Sequence, residues 1–253
     1  METSILGMRV DPTSYDQAID QILNWARLDE SRTVCVANVH MVMEGYDHPE
    51  FRSMVNAADL VTPDGMPLVW SLRRMGRQGQ PRVYGPELTL RLLAAVMEKK
   101  IPVGFFGGTP ETLDLLMTNV HQQFPGVQMA YIFSPPFRSI SPEEDESIIK
   151  DINDSGARIL FVGLGCPKQE KWMAAHTGRV QAVMIGVGVA FDFIAGTKQK
   201  APRWMQSIGL EWLFRLSQEP GRLWRRYLYH NPRFMMLVMF PLLFRRSPQT
   251  PAL

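Results

Sequence analysis

Apolar runs of strand length alternate with stretches of helical periodicity through most of the chain. Residues 33–38 (Thr-Val-Cys-Val-Ala-Asn) read as a buried strand, and residues 40–55 follow with Met41, Met43 and Tyr46 among the apolar positions of a helix. A short strand over 59–62 runs into the turn signal Pro63-Asp64-Gly65, and helices are predicted over 66–75 and 87–99, the latter carrying Leu88, Leu92, Leu93 and Val96 on one face. The pattern then repeats. Strands are predicted over 101–106, 127–133, 158–162 and 180–187, and helices after Thr109-Pro110, after Ser141-Pro142 and over 169–176. Thr109 and Ser141 are N-caps with proline at the first helical position. Strands separated by helices of this length make right-handed βαβ units. The expected fold is therefore α/β: a Rossmann-like, largely parallel sheet flanked by helices. Ligands bind such sheets at the carboxyl ends of the strands. That rule brings Asn38, Asp64, Gly107-Gly108 and residues 163–169 to one rim.

The character changes near residue 199. Ala201-Pro202 breaks the pattern, and 204–216 and 222–229 read as helices in which aromatics alternate with arginines. Residues 199–253 hold nine Lys and Arg against Glu211 and Glu219, a local charge of +7, whereas the whole chain is +2. Residues 1–198 are thus an acidic body of charge −5, joined to a cationic helical appendage over 199–253. The appendage ends in the apolar run 234–244. A polybasic helix beside an apolar patch suits an anionic membrane surface or an anionic lipid. The run has 11 residues and contains a proline, too short for a spanning helix of about 20. A peripheral position on the membrane is expected, and the apolar run favours a lipid partner over nucleic acid. The same Met-rich surface could bury itself on a second copy, so a homo-oligomer is also possible. The two cysteines, Cys35 and Cys166, lie in or beside apolar runs and suggest a reducing compartment, and the N-terminus has no signal-peptide pattern.

Several residues carry candidate chemistry. Asp64, at a strand end in a proline-stiffened turn, is either a general base or an Asx-turn residue. Gly163-Leu-Gly165-Cys-Pro-Lys168-Gln169 links a strand to a helix. It offers either a phosphate-approaching loop with Lys168 and Gln169 as donors, or a tight βα turn. Asp192, among apolar residues, is either a ligand for hydroxyl groups or a structural ion pair. Cys166 reads as a turn residue rather than a nucleophile, and His40 as a base or a residue that caps the sheet. No His, Cys, Asp or Glu cluster shows metal-ligand spacing, and no D-x-D triplet is present, so neither metal nor cofactor is expected. A departing diphosphate would then need cationic side chains. Arg215, Arg222, Arg225 and Arg226 supply forked donors for it, or form a solvated basic face.

Six ordered blocks resemble the WecG/TagA/CpsF glycosyltransferases over nearly the whole chain. They are Ala37-Asn-Val-His40, the stretch 56–67 around Thr62-Pro-Asp-Gly65, Arg82-Val-Tyr-Gly-Pro-Glu87, Gly163 to Glu170, Gly188-Val-Ala-Phe-Asp-Phe193, and a last block from Ala201-Pro-Arg-Trp204 to Arg226-Tyr227. The resemblance implies transfer of a hexose, of the N-acetylmannosamine type or glucose, from a UDP-sugar donor to a polyprenyl-diphosphate-linked sugar acceptor. It implies inversion at the anomeric centre without a metal, on the cytoplasmic face of a bacterial inner membrane. Carried over residue by residue, it makes Asp64 the base and Asn38 a residue that positions sugar. Arg82, Gln169 and Asp192 become substrate contacts, and Arg215, Arg222 and Arg226 become diphosphate ligands that close over the site. Two rival readings stand beside it. One is a nucleotide-dependent oxidoreductase using Gly107-Gly108 or Gly163 and Gly165; the other is a non-catalytic membrane-binding adaptor.

Overall fold

A computed structural model of the chain describes residues 3–244, so Arg245 and Arg246 of the cationic tail lie outside the described residues. A hairpin of β1 (Ser4–Ile5) and β2 (Met8–Arg9) precedes helix α1 (Tyr15–Arg27). Neither is among the elements expected above, although Ser14-Tyr-Asp-Gln17 carries a helix-start signature. The Ser14 hydroxyl accepts from the Gln17 amide, and the Gln17 side chain accepts from the Ser14 amide. The chain continues through β3 (Arg32–Ala37), α2 (Val39–Asp47), α3 (Pro49–Asn56), β4 (Leu60–Pro63), α4 (Met66–Arg74), α5 (Gly85–Lys99) and β5 (Val103–Gly107). It then forms α6 (Pro110–Gln123), β6 (Met129–Phe133), α7 (Pro142–Asp154), β7 (Ile159–Gly163), α8 (Lys168–His176), β8 (Val183–Gly186) and α9 (Ala190–Ala195). Strands β3 to β8 form one sheet ordered β4-β3-β8-β7-β5-β6, and every neighbouring pair is parallel. The α/β expectation holds.

Strands β3, β4, β5, β7 and β8 are buried on both faces, as in a parallel sheet with helical crossovers, while the edge strand β6 is partly exposed. Alternate residues feed two separate cores. Val34 and Val36 join Phe105, Phe161 and Ile185 on one side. Cys35 and Ala37 join Phe106, Leu160 and Met184 on the other.

Two predicted helices are each split in two. The helix expected over 40–55 breaks at His48, which is extended (φ −126°, ψ 94°) because the following Pro49 disfavours helical backbone in the residue before it. The helix expected over 204–216 becomes α10 (Arg203–Ser207) and α11 (Glu211–Gln218). Gly209 between them sits at φ +74°, and a Cβ there would lie 2.7 Å from the Trp70 ring, so only glycine fits the left-handed turn against that indole.

The arm continues with α12 (Pro220–Phe234), a π-helical turn over Met235–Met239, and α13 (Phe240–Phe244). Pro241 has no amide proton for the preceding turn, and the ladder there widens. The apolar run at 234–244 has two faces. Phe234, Val238 and Met239 are buried in the same core as Met41, Leu68 and Leu72, while Met236 and Phe240 remain exposed. The arm therefore rests on the body as well as presenting apolar surface. Among the described residues, no helix is long and apolar enough to cross a membrane.

Candidate active site

The carboxyl ends of β3 and β4 lie side by side, with Ala37 in register with Pro63. The next residue of each strand enters the site: Asn38 from β3 and Asp64 from β4. The Ala37 carbonyl accepts from the amides of both Asp64 (2.8 Å) and Gly65 (3.2 Å), which folds the Pro63-Asp64-Gly65 turn back over the strand end. A Cβ on Gly65 would lie 3.3 Å from the Asn38 Cα, so the turn packs tightly there. Asp64 thus stands in a fixed turn at the strand rim, and its carboxylate is held by other residues. It is not a self-bonded Asx-turn residue.

One of those residues is Arg82. Its Nη2 donates to Asp64 Oδ1 (2.8 Å) and also to Glu211 Oε2 (2.8 Å), and its Nε donates to the Asp64 carbonyl. Its guanidinium lies 4.1 Å from the Tyr84 ring centroid. The Tyr84 hydroxyl donates to the second Glu211 oxygen (3.0 Å). Asp64, Arg82, Glu211 and Tyr84 therefore form one network, with Glu211 coming from the arm. All four side chains are largely out of water. Burial raises the pKa of Asp64 above the ordinary carboxylate range; Glu211 adds to the rise, and Arg82 and the Gly85 amide oppose it. The two carboxylates also raise the pKa of Arg82, against the effect of its burial. A carboxylate of increased basicity is a better proton acceptor near neutral pH than a solvated one.

Two cavities meet at this network. One, of about 900 Å³, lies over the ends of β5, β7 and β8 and includes Gly165, Lys168, Gln169 and Asp192 in its wall. The other, of about 420 Å³, is walled largely by apolar residues of α4 and the arm, among them Trp70, Ile208, Trp212 and Leu228. Both are lined by Asn38, Asp64, Glu211, Arg215 and Arg226, so a molecule in either could reach Asp64.

The arginines of the arm differ in their pairing. Arg222 is bound to Glu219 through two hydrogen bonds. Neither Arg215 nor Arg226 has a carboxylate partner among the described residues, and the Arg226 Nε is buried with no hydrogen-bond partner. Burial pushes the Arg226 pKa down, with Arg215 and Arg222 adding to the effect. Arg226 is half-buried and opens onto both cavities, and its buried Nε without a partner is costly unless an anion joins the guanidinium.

The remaining predicted residues have these positions. Asn38 caps α2 by accepting from the Met41 amide (3.2 Å) and lines both cavities. Gln169 is buried; it accepts from the Gly165 amide (3.1 Å) and donates to Glu170 (2.8 Å), so it braces the 163–167 loop from beneath. Lys168 is exposed at the mouth of the larger cavity. The two loop glycines have separate reasons. A Cβ on Gly163 would lie 2.5 Å from the Phe191 ring, whereas Gly165 sits at φ +78° with open space before it. Gly163 lets α9 approach the sheet, and Gly165 leaves room over the cavity. Asp192 is only half-buried: the apolar neighbours in α9 point inward, while its carboxylate meets Lys198 Nζ (3.1 Å), which also reaches Glu219 (3.4 Å). Cys166 is half-buried and desolvation raises its thiol pKa, in keeping with a turn residue.

Sequence reasoning missed three residues. Glu211 lies 129 residues from Arg82, and Tyr84 appeared only inside a quoted block. His230 lies beside His40 and Glu44, with possible ligand atoms of all three within 4.8 Å of one another. The spacing of His40 and Glu44, one helical turn apart, was the only local sign of that group.

The site thus joins a carboxylate at the rim of a parallel α/β sheet to two arginines without carboxylate partners among the described residues, beside two adjoining cavities. Comparison with known families gives the match: the model of the glycosyl transferase WecG/TagA/CpsF family aligns with residues 3–248 of 253. The chain belongs to that family and is a glycosyltransferase.

Proposed function

We propose that the chain transfers a hexose, of the N-acetylmannosamine type or glucose, from a UDP-sugar to a saccharide carried on polyprenyl diphosphate, with inversion at the anomeric carbon. The observation that carries this reading is the meeting of a polar and an apolar cavity at one buried carboxylate. The larger cavity suits a nucleotide sugar, with the open loop at Gly165 and the exposed Lys168 toward phosphate. The apolar cavity suits the lipid-proximal part of the acceptor. It adjoins the arm, whose exposed Trp224, Leu228, Met236 and Phe240, with Arg225 against the Trp224 ring, support a peripheral position on an anionic membrane.

In the proposed step, Asp64 accepts the proton of the acceptor hydroxyl as that oxygen attacks C1 of the donor sugar. The C1–O bond to UDP breaks, and Arg226 and Arg215 take up the developing diphosphate charge. Arg82 keeps the Asp64 carboxylate oriented while Glu211 shares its positive charge. Asn38 presents its amide to a sugar hydroxyl at the boundary of the cavities. With guanidinium groups available, the diphosphate needs no divalent ion. The body over 1–198 provides the base and the arm over 199–253 provides the cations, at the cytoplasmic face of a bacterial inner membrane in surface or exopolysaccharide synthesis. The test is to incubate the purified protein with a panel of UDP-sugars and a polyprenyl-diphosphate-linked acceptor and to identify the product by mass spectrometry. A glycosylated lipid from one donor is expected. Absence of product from every donor, with folded protein, would reject the proposed substrates.

A further inference from the structure

Two imidazoles and a carboxylate converge where the arm crosses α2. His40 and Glu44 lie one turn apart on α2, and His230 comes from α12. His40 Nδ1 and His230 Nε2 each lie 3.7 Å from the same oxygen, Glu44 Oε1. The ring centroids are 5.0 Å apart. At 3.7 Å neither contact is a hydrogen bond. Burial, with Arg226 and His230 nearby, lowers the His40 pKa to about 2, and burial also lowers that of His230. The Nδ1 of His40 and the Nδ1 of His230 are both buried with no hydrogen-bond partner. A buried imidazole nitrogen that has no hydrogen-bond partner and faces a carboxylate is arranged as a metal ligand would be.

We propose that His40, Glu44 and His230 form a three-ligand site for a divalent transition metal ion of the zinc class, which clamps α12 of the arm to α2 of the body. The donor set of two neutral imidazole nitrogens and one carboxylate oxygen suits such an ion. Ligand atoms around a tetrahedral zinc lie on the order of 3.3 Å apart, with metal–nitrogen bonds of about 2.0–2.1 Å. The two 3.7 Å contacts would therefore close by only a few tenths of an ångström, and the two imidazole nitrogens, within 4.8 Å of each other, would draw together to complete the site. The fourth position is left for water. One turn along the same pair of helices, Arg233 forms two hydrogen bonds to Asp47 (2.8 and 2.6 Å), which fixes the register of α12 on α2 before any ion arrives. Arg226, close enough to act on both imidazoles, opposes a cation and weakens its binding. The ligands come from both the body and the arm, so occupancy would hold the arm in place over the site.

The test uses the full chain, stripped of metal by chelator and dialysed. Titration with zinc chloride at pH 7 in a calorimeter should give one equivalent bound. Cobalt(II) should give the visible absorption of a four-coordinate ion. Glu44→Gln and His230→Gln should each weaken zinc binding by at least about 10-fold while melting like the metal-free wild type. Zinc should also slow tryptic cleavage of the wild-type arm at exposed Arg225. Absence of stoichiometric binding by the wild type would overturn the proposal, as would zinc binding unchanged in both variants. Should a variant fail to fold, the wild-type cobalt spectrum decides: an octahedral, water-like spectrum at saturation counts against the site.

Discussion

Glu211→Gln should shift the acid limb of the pH–rate profile downward. Arg82 Nη2 lies 2.8 Å from an oxygen of Asp64 and 2.8 Å from an oxygen of Glu211, so those oxygens are at most about 5.6 Å apart. Two unit charges at that separation repel by about 3 kcal/mol at an effective dielectric constant of 20. Water in the adjoining cavities reduces this to about 1–2 kcal/mol, or about one pH unit. The sign follows from the geometry. Glu211 raises the Asp64 pKa directly and also shares Arg82, which lowers it. Removing the Glu211 charge leaves Arg82 to Asp64 alone, and the base becomes more acidic. In the wild type, kcat/KM should fall as pH drops through a value above the ordinary aspartate pKa of about 3.9. In Glu211→Gln the fall should occur about one unit lower, with a reduced plateau because the base is weaker. Glu211→Asp, which keeps the charge, should recover most of the shift. The assay is initial-rate transfer to the lipid-linked acceptor between pH 4 and 9, with protein folding checked by circular dichroism at each pH. An unmoved acid limb in Glu211→Gln, with an unchanged plateau, would refute the claim that the arm tunes the base.

Three further outcomes follow from the packing and charge described above. Arg226→Met should remove the stabilisation of the protein by UDP in a thermal-shift assay. It should also raise the melting point of the unliganded protein by about 2–4 °C, the effect of about 1 kcal/mol in a chain of this size, because the buried Nε left without a partner is gone. Phe234→Ala should cost about 3–5 kcal/mol in a denaturant melt, since the ring is fully buried between arm and body; a loss below about 1 kcal/mol would mean the arm is not held by that contact. Replacing exposed Trp224 and Leu228 with serine should weaken sedimentation with anionic vesicles by at least about 10-fold, as each buried apolar side chain contributes about 1.5–3 kcal/mol, without changing the melting point.

The parallel sheet was legible because its strands are buried on both faces and read as continuous apolar runs, with Thr109 and Ser141 marking helix starts. The turn at Asp64 was legible for the same reason: a proline and a glycine enclose the carboxylate at a strand end. The helix breaks at His48 and Gly209 were written in Pro49 and in a glycine beside bulky residues, but apolar periodicity continued across both. Asp192 looked buried because its neighbours are apolar, whereas α9 is a single short helix that turns those neighbours inward and its acid toward Lys198. The pairing of Arg82 with Glu211 and of His40 with His230 was not legible, because both join the body to the arm across long sequence separations. Such contacts follow from where α11 and α12 dock, and docking depends on side chains such as Phe234 and Met239 that read equally well as lipid-facing.

The most direct measurement compares wild type with Asp64→Asn in single-turnover transfer from the preferred UDP-sugar to the polyprenyl-diphosphate-linked acceptor, with the donor affinity of each measured separately. Loss of the proton acceptor should slow the bond-forming step by about 10²–10⁴-fold while UDP-sugar still binds as tightly. A variant that transfers sugar at close to the wild-type rate would contradict the assignment of Asp64 as the base, and with it the mechanism built around the meeting of the two cavities.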